Sequence, residues 1–197
     1  MTTAATLPPP NPTRLYTIAD LDTLPRTSPQ GPVDYELDNG RLVTVAPPGN
    51  HHAAILTKLV AALYLQGETR GLGKARVEVG IVLWRRPAGD RLVGADAAFV
   101  ASARLPLRES REDYLETIPD LVVEVRSKND SDDELEQKVR DYLTVGVRCV
   151  WVVDPGQRWI AAHRPGQPPR VFTESEDVTI DDIIPGFRLA VADALAD

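Results

Sequence analysis

The segment LVVEVRSKNDSDDELEQKVRDYLTVGVRCVWVVD, residues 121–154, decides the fold. Its two ends, Leu121 to Val125 and Cys149 to Val153, are short and almost wholly apolar. Runs of that kind are expected of strands covered on both faces. Between them, Asn129 to Ser131 offers caps for a helix over Asp132 to Val145, closed by Gly146. The acids Asp132, Asp133 and Glu134 in its first turn suit the positive end of a helix dipole. A strand, a helix and a second strand at this spacing predict a right-handed parallel crossover.

Working downstream, Asp154-Pro155-Gly156 ends the second strand, and Trp159 to His163 follows as its hairpin partner. A short helix near Asp181 to Ile184 and a strand near Phe187 to Leu189 are expected in the tail. Upstream, Val77, Val79, Ile81 and Leu83 alternate with other residues, which predicts a strand with one apolar face. The next strand carries Leu92-Val93 and Ala97 to Val100, with Asp96 at its centre. Arg104 to Thr117 is polar and irregular. A helix is expected from His51 to about Gln66, with Asn50 as its cap and Ile55, Leu59, Ala62, Leu63 and Gln66 at helical spacing. Before it, Asp38-Asn39-Gly40 separates Tyr35-Glu36-Leu37 from Leu42 to Val45. Asn-Gly supplies the positive φ angles of a tight hairpin. Pro47-Pro48-Gly49 stops its second strand.

Seven of the 17 prolines lie in residues 1–34. Pro8 to Pro12 excludes helix and central strand there, Thr17 can cap a short helix from Ile18 to about Leu24, and Thr27 to Pro32 is a loop. The chain of 197 residues thus divides into a proline-rich segment, 1–32, expected to be partly mobile, and one domain, 33–197, with an acidic tail. The fold class is α/β, with a mixed central β-sheet flanked by α-helices.

Composition limits the function. No apolar run is long enough to span a bilayer, and the N-terminus lacks the pattern of a secretory signal. The single cysteine, Cys149, excludes an internal disulfide framework and a zinc site built on cysteines. A cytoplasmic protein is the default. The net charge of −7 weighs against a nucleic-acid partner, but it is unevenly spread. Residues 172–197 carry −6 and residues 1–34 carry −1, so the body between them is neutral.

Some polar residues stand where stability alone does not put them. Glu124 interrupts an apolar strand, and Asp96 does the same in Gly94 to Val100. Each carboxylate is costly there unless it is paired or holds a metal, and two such acids in adjacent strands need a cation. Structural ion pairs are the bland alternative. Lys138 supplies one cation. It lies at the edge of the apolar arc formed by Leu135, Val139, Tyr142 and Leu143, turned toward the sheet. A snorkelling lysine is the alternative. Arg126, two residues beyond Glu124, shares its face by strand alternation. Glu36 is ambiguous, because Tyr35 and Leu37 point the other way. His51 and His52 open a helix, where imidazoles meet anions or water. Motifs for a nucleophile elbow, a P-loop and a zincin helix are absent from the sequence.

With Asp96, Glu124 and Lys138 assembled, the chain resembles the Uma-two family of restriction endonucleases, within the PD-(D/E)XK nuclease superfamily. The matching stretches are Tyr35 to Gly40, His51-His52, Ala95 to Val100, Pro119 to Ser127, Lys138 to Leu143 with Gly146-Val147, Val150 to Pro155, and Ile184 to Phe187. The resemblance implies a restriction-endonuclease-like sheet and a metal-dependent DNA endonuclease. It makes Asp96 and Glu124 the two motif acids, although Ala95 stands where the motif has proline. Arg126 occupies the usual lysine position, and Lys138, from the following helix, supplies the lysine instead. Glu36 and His52 match positions near the cleft. The resemblance further implies that Asp96, Glu124 and the Val125 carbonyl hold Mg²⁺, with Mn²⁺ as a substitute and Glu36 joining through a water. DNA is the implied partner, and a homodimer is the oligomer expected. Two rivals stay open: a hydrolase such as a glycosidase using Asp96 and Glu124 as an acid–base pair, and an inactive nuclease fold serving as a binding or assembly module.

Overall fold

A computed structural model describes residues 14–28, 31–45, 48–107, 114–127 and 130–196. The run Pro8 to Pro12, Pro47, the centre of the Thr27 to Pro32 loop, residues 108–113 and the cap candidate Asn129 lie outside the described residues. The chain begins with α1 (Ile18–Leu21) and a pair of two-residue strands, β1 (Thr27–Ser28) and β2 (Gly31–Pro32). The hairpin follows as β3 (Asp34–Asp38) and β4 (Arg41–Val45), then α2 (Asn50–Gln66). Two long strands come next, β5 (Gly73–Trp84) and β6 (Arg91–Ala101). The crossover unit is β7 (Leu121–Val125), α3 (Asp132–Thr144) and β8 (Cys149–Asp154). The chain finishes with β9 (Trp159–His163), β10 (Arg170–Thr173), β11 (Asp177–Val178), β12 (Leu189–Ala190) and α4 (Val191–Ala194).

Eight strands form one mixed sheet. Among the described residues, β7 and β8 are the one pair of strands in parallel, in register from Leu121 opposite Cys149 to Val125 opposite Val153. Both strands are buried along their whole length, which is why they read as almost wholly apolar runs. β9 and β10 extend the sheet on that side, and β3 and β4 form its other edge. The hairpin turn has Asn39 and Gly40 at φ of 49° and 79°, as its Asn-Gly pair demands.

Three apolar clusters hold the layers together. On one face Ile55, Leu56, Leu59 and Leu63 of α2 pack with Phe99, Trp151 and the tail residues Ile184 and Phe187. On the other face Val139 and Tyr142 of α3 pack with Ala95, Val122 and Val150. The third joins Tyr16, Ile18 and Leu21 to Tyr35, Leu37 and Leu92. The packed body thus takes in residues well before Val33, because α1 carries two apolar side chains that cover the β3 hairpin. α1 is shorter than its expected span to Leu24. The turn expected to be a helix at Asp181 to Ile184 makes a single loop of bonds to the Ile180 carbonyl and stops at Pro185 and Gly186. One turn without propagation is not a helix.

α3 starts where its sequence demands. The Ser131 hydroxyl accepts from the Glu134 amide, and the Glu134 carboxylate accepts from the Ser131 amide and hydroxyl, a reciprocal cap. Ser131→Ala is expected to cost about 1 kcal/mol in urea unfolding. An unchanged urea midpoint would show that tertiary packing alone holds the helix start.

The expected alternation fails at Glu78 on β5, and the β5–β6 register also shifts between Val82 and Trp84. Glu78 has a left-handed backbone, φ 49°, inside the strand. Val77 opposes Ala97 and Val79 opposes Ala95. Glu78 and Asp96 therefore face each other across an interruption of the ladder. The strands change phase there. Ala95 packs on the α3 side, while Ala97, two residues on, packs on the α2 side. Likewise Val79, Ile81 and Leu83 pack toward α3, whereas Val77 lies half-exposed in a groove beside α2, with Ala53, Leu56 and Val60. A left-handed residue inside a strand re-aims the side chains beside it at the cost of local strain.

Candidate active site

The phase change sits beside an opening in the sheet. One edge of β6 is covered by β5. Its other edge is shared by two strands. β7 pairs with Ala97 to Phe99, and β3 pairs only at Leu92. Between those contacts β3 and β7 diverge, and among the described residues no strand pairs with residues 93–96 of β6 on that edge. Side chains fill the role of the missing strand. Glu36 Oε1 accepts from the Gly94 amide at 3.0 Å, and Asp96 Oδ2 accepts from the Val125 amide at 2.6 Å. Lys138 Nζ lies 3.4 Å from the Gly94 carbonyl oxygen.

This opening brings together Asp96, Glu124, Lys138, Glu36, His52 and the main chain of Val125. Lys138 donates to Glu36 Oε1 at 3.0 Å and lies 3.9 Å from Glu124 Oε2. Its nearest carboxylate is thus Glu36 rather than either motif acid. Glu36 is buried together with Tyr35 and Leu37, because both faces of β3 are covered. His52, from the α2 side, places Nε2 3.1 Å from Asp96 Oδ2. Its Nδ1 is buried and makes no hydrogen bond among the described residues. His51 is exposed on the first turn of α2.

Two residues of the site escape a reading by sequence. Tyr142, one helical turn after Lys138, is fully buried and donates to Glu124 Oε1 at 2.6 Å. As a member of the apolar arc it reads as core; its position four residues from Lys138, on the same helix face, was the available signal. Glu78 reads as the solvent side of an alternating strand, and no residue pattern foretells its left-handed backbone.

Arg126 departs from expectation. Its guanidinium pairs with Asp132 and, at 3.4 Å, with Asp154. The ladder runs on past Val125, with the Arg126 amide donating to the Val153 carbonyl at 2.8 Å, but the Asp132 and Asp154 carboxylates take the guanidinium. It ties the exit of β7 to the start of α3 and the end of β8.

Electrostatics follow from this crowding. Burial pushes the Glu124 carboxyl up to about 7; Lys138 opposes that change and Asp96 adds to it. Burial works against the charge on Lys138, but Glu124 and Glu36 more than offset it, so the ammonium titrates above its ordinary range. The hydrogen bond to Asp96 raises the His52 pKa, against the effect of burial. Burial, followed by the Glu124 charge, holds the Tyr142 hydroxyl well above its usual value, so it stays a donor. Burial and then the Asp96 charge raise Glu78. Among the described residues, no three side chains of His, Cys, Asp or Glu form a group that would hold a metal by themselves.

A splayed mixed sheet with two acids and a lysine at the split is the architecture of a restriction-endonuclease-like nuclease fold. The model of the Uma2 family, described as "Putative restriction endonuclease", matches residues 18–192, and the chain belongs to that family. Among solved structures, it is similar to one titled as a "putative nuclease belonging to DUF820" from Anabaena variabilis ATCC 29413. The two share 21% identity and a TM-score of 0.76, over 91% of this chain and 97% of the other. At that identity the likeness speaks for the fold. No curated protein matches the chain. No helix among the described residues is long and apolar enough to cross a membrane.

Proposed function

We propose that the protein is a Mg²⁺-dependent endonuclease that hydrolyses DNA phosphodiester bonds, with Asp96, Glu124 and Lys138 as its catalytic residues. The observation that carries this reading is the meeting of two acids from neighbouring strands with one lysine, where β3 and β7 part along β6. The donor set suits a hard cation. Asp96 and Glu124 offer carboxylate oxygens, and Glu124 lacks enough positive charge nearby to ionise at its ordinary pH. Mg²⁺ characteristically takes one or two carboxylates and keeps several waters, so it does not need three side-chain ligands. Asp96, Glu124 and the Val125 carbonyl would hold it, with Glu36 reached through water. When bound, such an ion polarises the phosphate and lowers the pKa of a water.

The chain's own residues supply the remainder. Lys138 presents an ammonium that stays charged at working pH and can neutralise charge developing on the phosphate oxygens. Glu36 holds that ammonium in place through its 3.0 Å bond. His52 and the Val125 amide together fix the orientation of the Asp96 carboxylate. Arg126 serves the framework through Asp132 and Asp154.

The deciding experiment is plasmid nicking with Mg²⁺ or Mn²⁺ added to protein stripped with a chelator. Cleavage restored by either ion is expected, with none by Asp96→Ala. Calorimetry on the same proteins should show Mn²⁺ binding to the wild type and little to Asp96→Ala. Equal binding by both would remove Asp96 from the site. Folded protein that binds DNA without cutting it would favour the binding-module alternative.

A further inference from the structure

The hydrogen bonds at the two motif acids are unevenly shared between their oxygens. On Asp96, both the Val125 amide and His52 Nε2 approach Oδ2. On Glu124, the Tyr142 hydroxyl donates to Oε1, and the oxygen nearer Lys138 is Oε2. Each acid therefore turns one occupied oxygen toward the protein and keeps the other, Oδ1 or Oε2, for a ligand.

We infer that Tyr142 is a positioning residue that makes Glu124 a one-oxygen ligand, and so sets the cation preference of the site toward small octahedral ions and away from Ca²⁺. This rests on the nuclease reading above. The ring of Tyr142 needs no hydroxyl to pack. It is fully buried among the apolar side chains Ala95, Val122, Val139 and Val150, where phenylalanine would serve as well. A buried tyrosine hydroxyl needs a partner, and here the partner is the carboxylate that would carry the cation. At 2.6 Å the contact is a short hydrogen bond from hydroxyl to carboxyl oxygen. A donor that close occupies one of the two lone pairs of Oε1 and crowds any metal that would share that oxygen.

Cations differ in how much this matters. Ca²⁺ takes six to eight oxygens and accepts carboxylates through both oxygens at once, whereas Mg²⁺ requires near-octahedral geometry and takes single oxygens plus waters. Mn²⁺ also favours octahedral oxygen sites and stands in for Mg²⁺. Occupying Oε1 handicaps Ca²⁺ and leaves Mg²⁺ or Mn²⁺ unaffected. Lys138 adds to the effect. Its ammonium, 3.9 Å from Oε2 and bonded to Glu36, restricts the space for a large, high-coordination ion.

The test measures binding rather than turnover. Mn²⁺ and Ca²⁺ are titrated separately, by calorimetry, into chelator-stripped wild type and Tyr142→Phe. The Ca²⁺-to-Mn²⁺ ratio of dissociation constants is expected to fall roughly tenfold in Tyr142→Phe, which corresponds to losing a hydrogen bond to a charged group. A merely structural hydroxyl would change both affinities together, or neither, and leave the ratio fixed. A second measurement needs no substitution at Tyr142. Infrared difference spectra of wild type minus Glu124→Gln, each with Mn²⁺, isolate the Glu124 carboxylate stretches. A wide separation of the antisymmetric and symmetric bands, the mark of one-oxygen coordination, is expected. A fixed ratio, or the narrow separation of two-oxygen coordination, overturns the inference while the nuclease reading stands. Wild type that binds no Mn²⁺ overturns both.

Discussion

Lys138→Met should cut DNA roughly 100- to 1,000-fold more slowly than wild type, a loss of about 2.7–4 kcal/mol of transition-state stabilisation. Methionine keeps most of the packing of the lysine stem on α3 and removes only the ammonium. The structure adds a side effect. Glu36, buried in β3, loses the cation 3.0 Å away and keeps only the Gly94 amide. Removing one partner of a largely buried pair costs stability, so Lys138→Met should melt lower. Adding Glu36→Gln separates the two effects. The double variant should regain melting temperature, because a neutral amide can still accept from Gly94, yet remain slow. Wild-type cleavage by Lys138→Met would remove the lysine from the mechanism. Recovery of rate along with stability would assign it a structural task only.

Glu124→Gln should abolish cleavage and, in metal-free buffer, leave the protein as stable as wild type or more so. Burial holds the folded pKa of Glu124 near 7, against 4.5 for the ordinary group. An acid raised in this way stabilises the fold below its unfolded pKa. That contribution is lost as pH climbs from 4.5 through about 7. Each tenfold difference in proton affinity between the folded and unfolded chain is worth about 1.4 kcal/mol, so the loss reaches about 3 kcal/mol at most. The glutamine does not titrate, and its amide oxygen can accept from Tyr142. The stability of Glu124→Gln relative to wild type should therefore grow between pH 4.5 and about 7, read by urea unfolding in a chelator. A constant difference across that range would mean that Lys138 compensates the buried charge fully. A large loss at every pH would favour a structural ion pair.

Much of this was legible in the sequence because the relevant signals were local. The crossover from Leu121 to Val153 follows from apolar runs and a capped helix, and the parallel register of β7 and β8 is its direct consequence. Asp96 and Glu124 stood out because carboxylates inside apolar strands are costly, and Lys138 because helical periodicity fixed its direction. What stayed hidden depends on pairing between distant segments. The burial of Glu36 requires knowing that both faces of β3 are covered. Arg126 is taken by Asp132 and Asp154, acids from two other elements whose approach no local pattern announces. The left-handed Glu78 belongs to an interruption that emerges only when β5 and β6 are set side by side. Helical periodicity makes Tyr142 core, but its hydroxyl gains meaning only from Glu124 across the layer.

The gap on the edge of β6 has an evolutionary corollary. Glu36 and Asp96 each bind a main-chain amide that a neighbouring strand would otherwise have claimed, so the same atoms serve both chemistry and architecture. A lineage that drifted out of catalysis could not discard these acids freely, since each loss would leave an orphaned amide inside the sheet. Glu124 holds no main-chain group: its carboxylate meets the side chains of Tyr142 and Lys138, which can be substituted along with it, and its charge is a burden to the resting fold. Decay of function should therefore begin at Glu124. Family members that keep acids at the positions of Glu36 and Asp96 but have lost the one at Glu124 are the retired enzymes to look for.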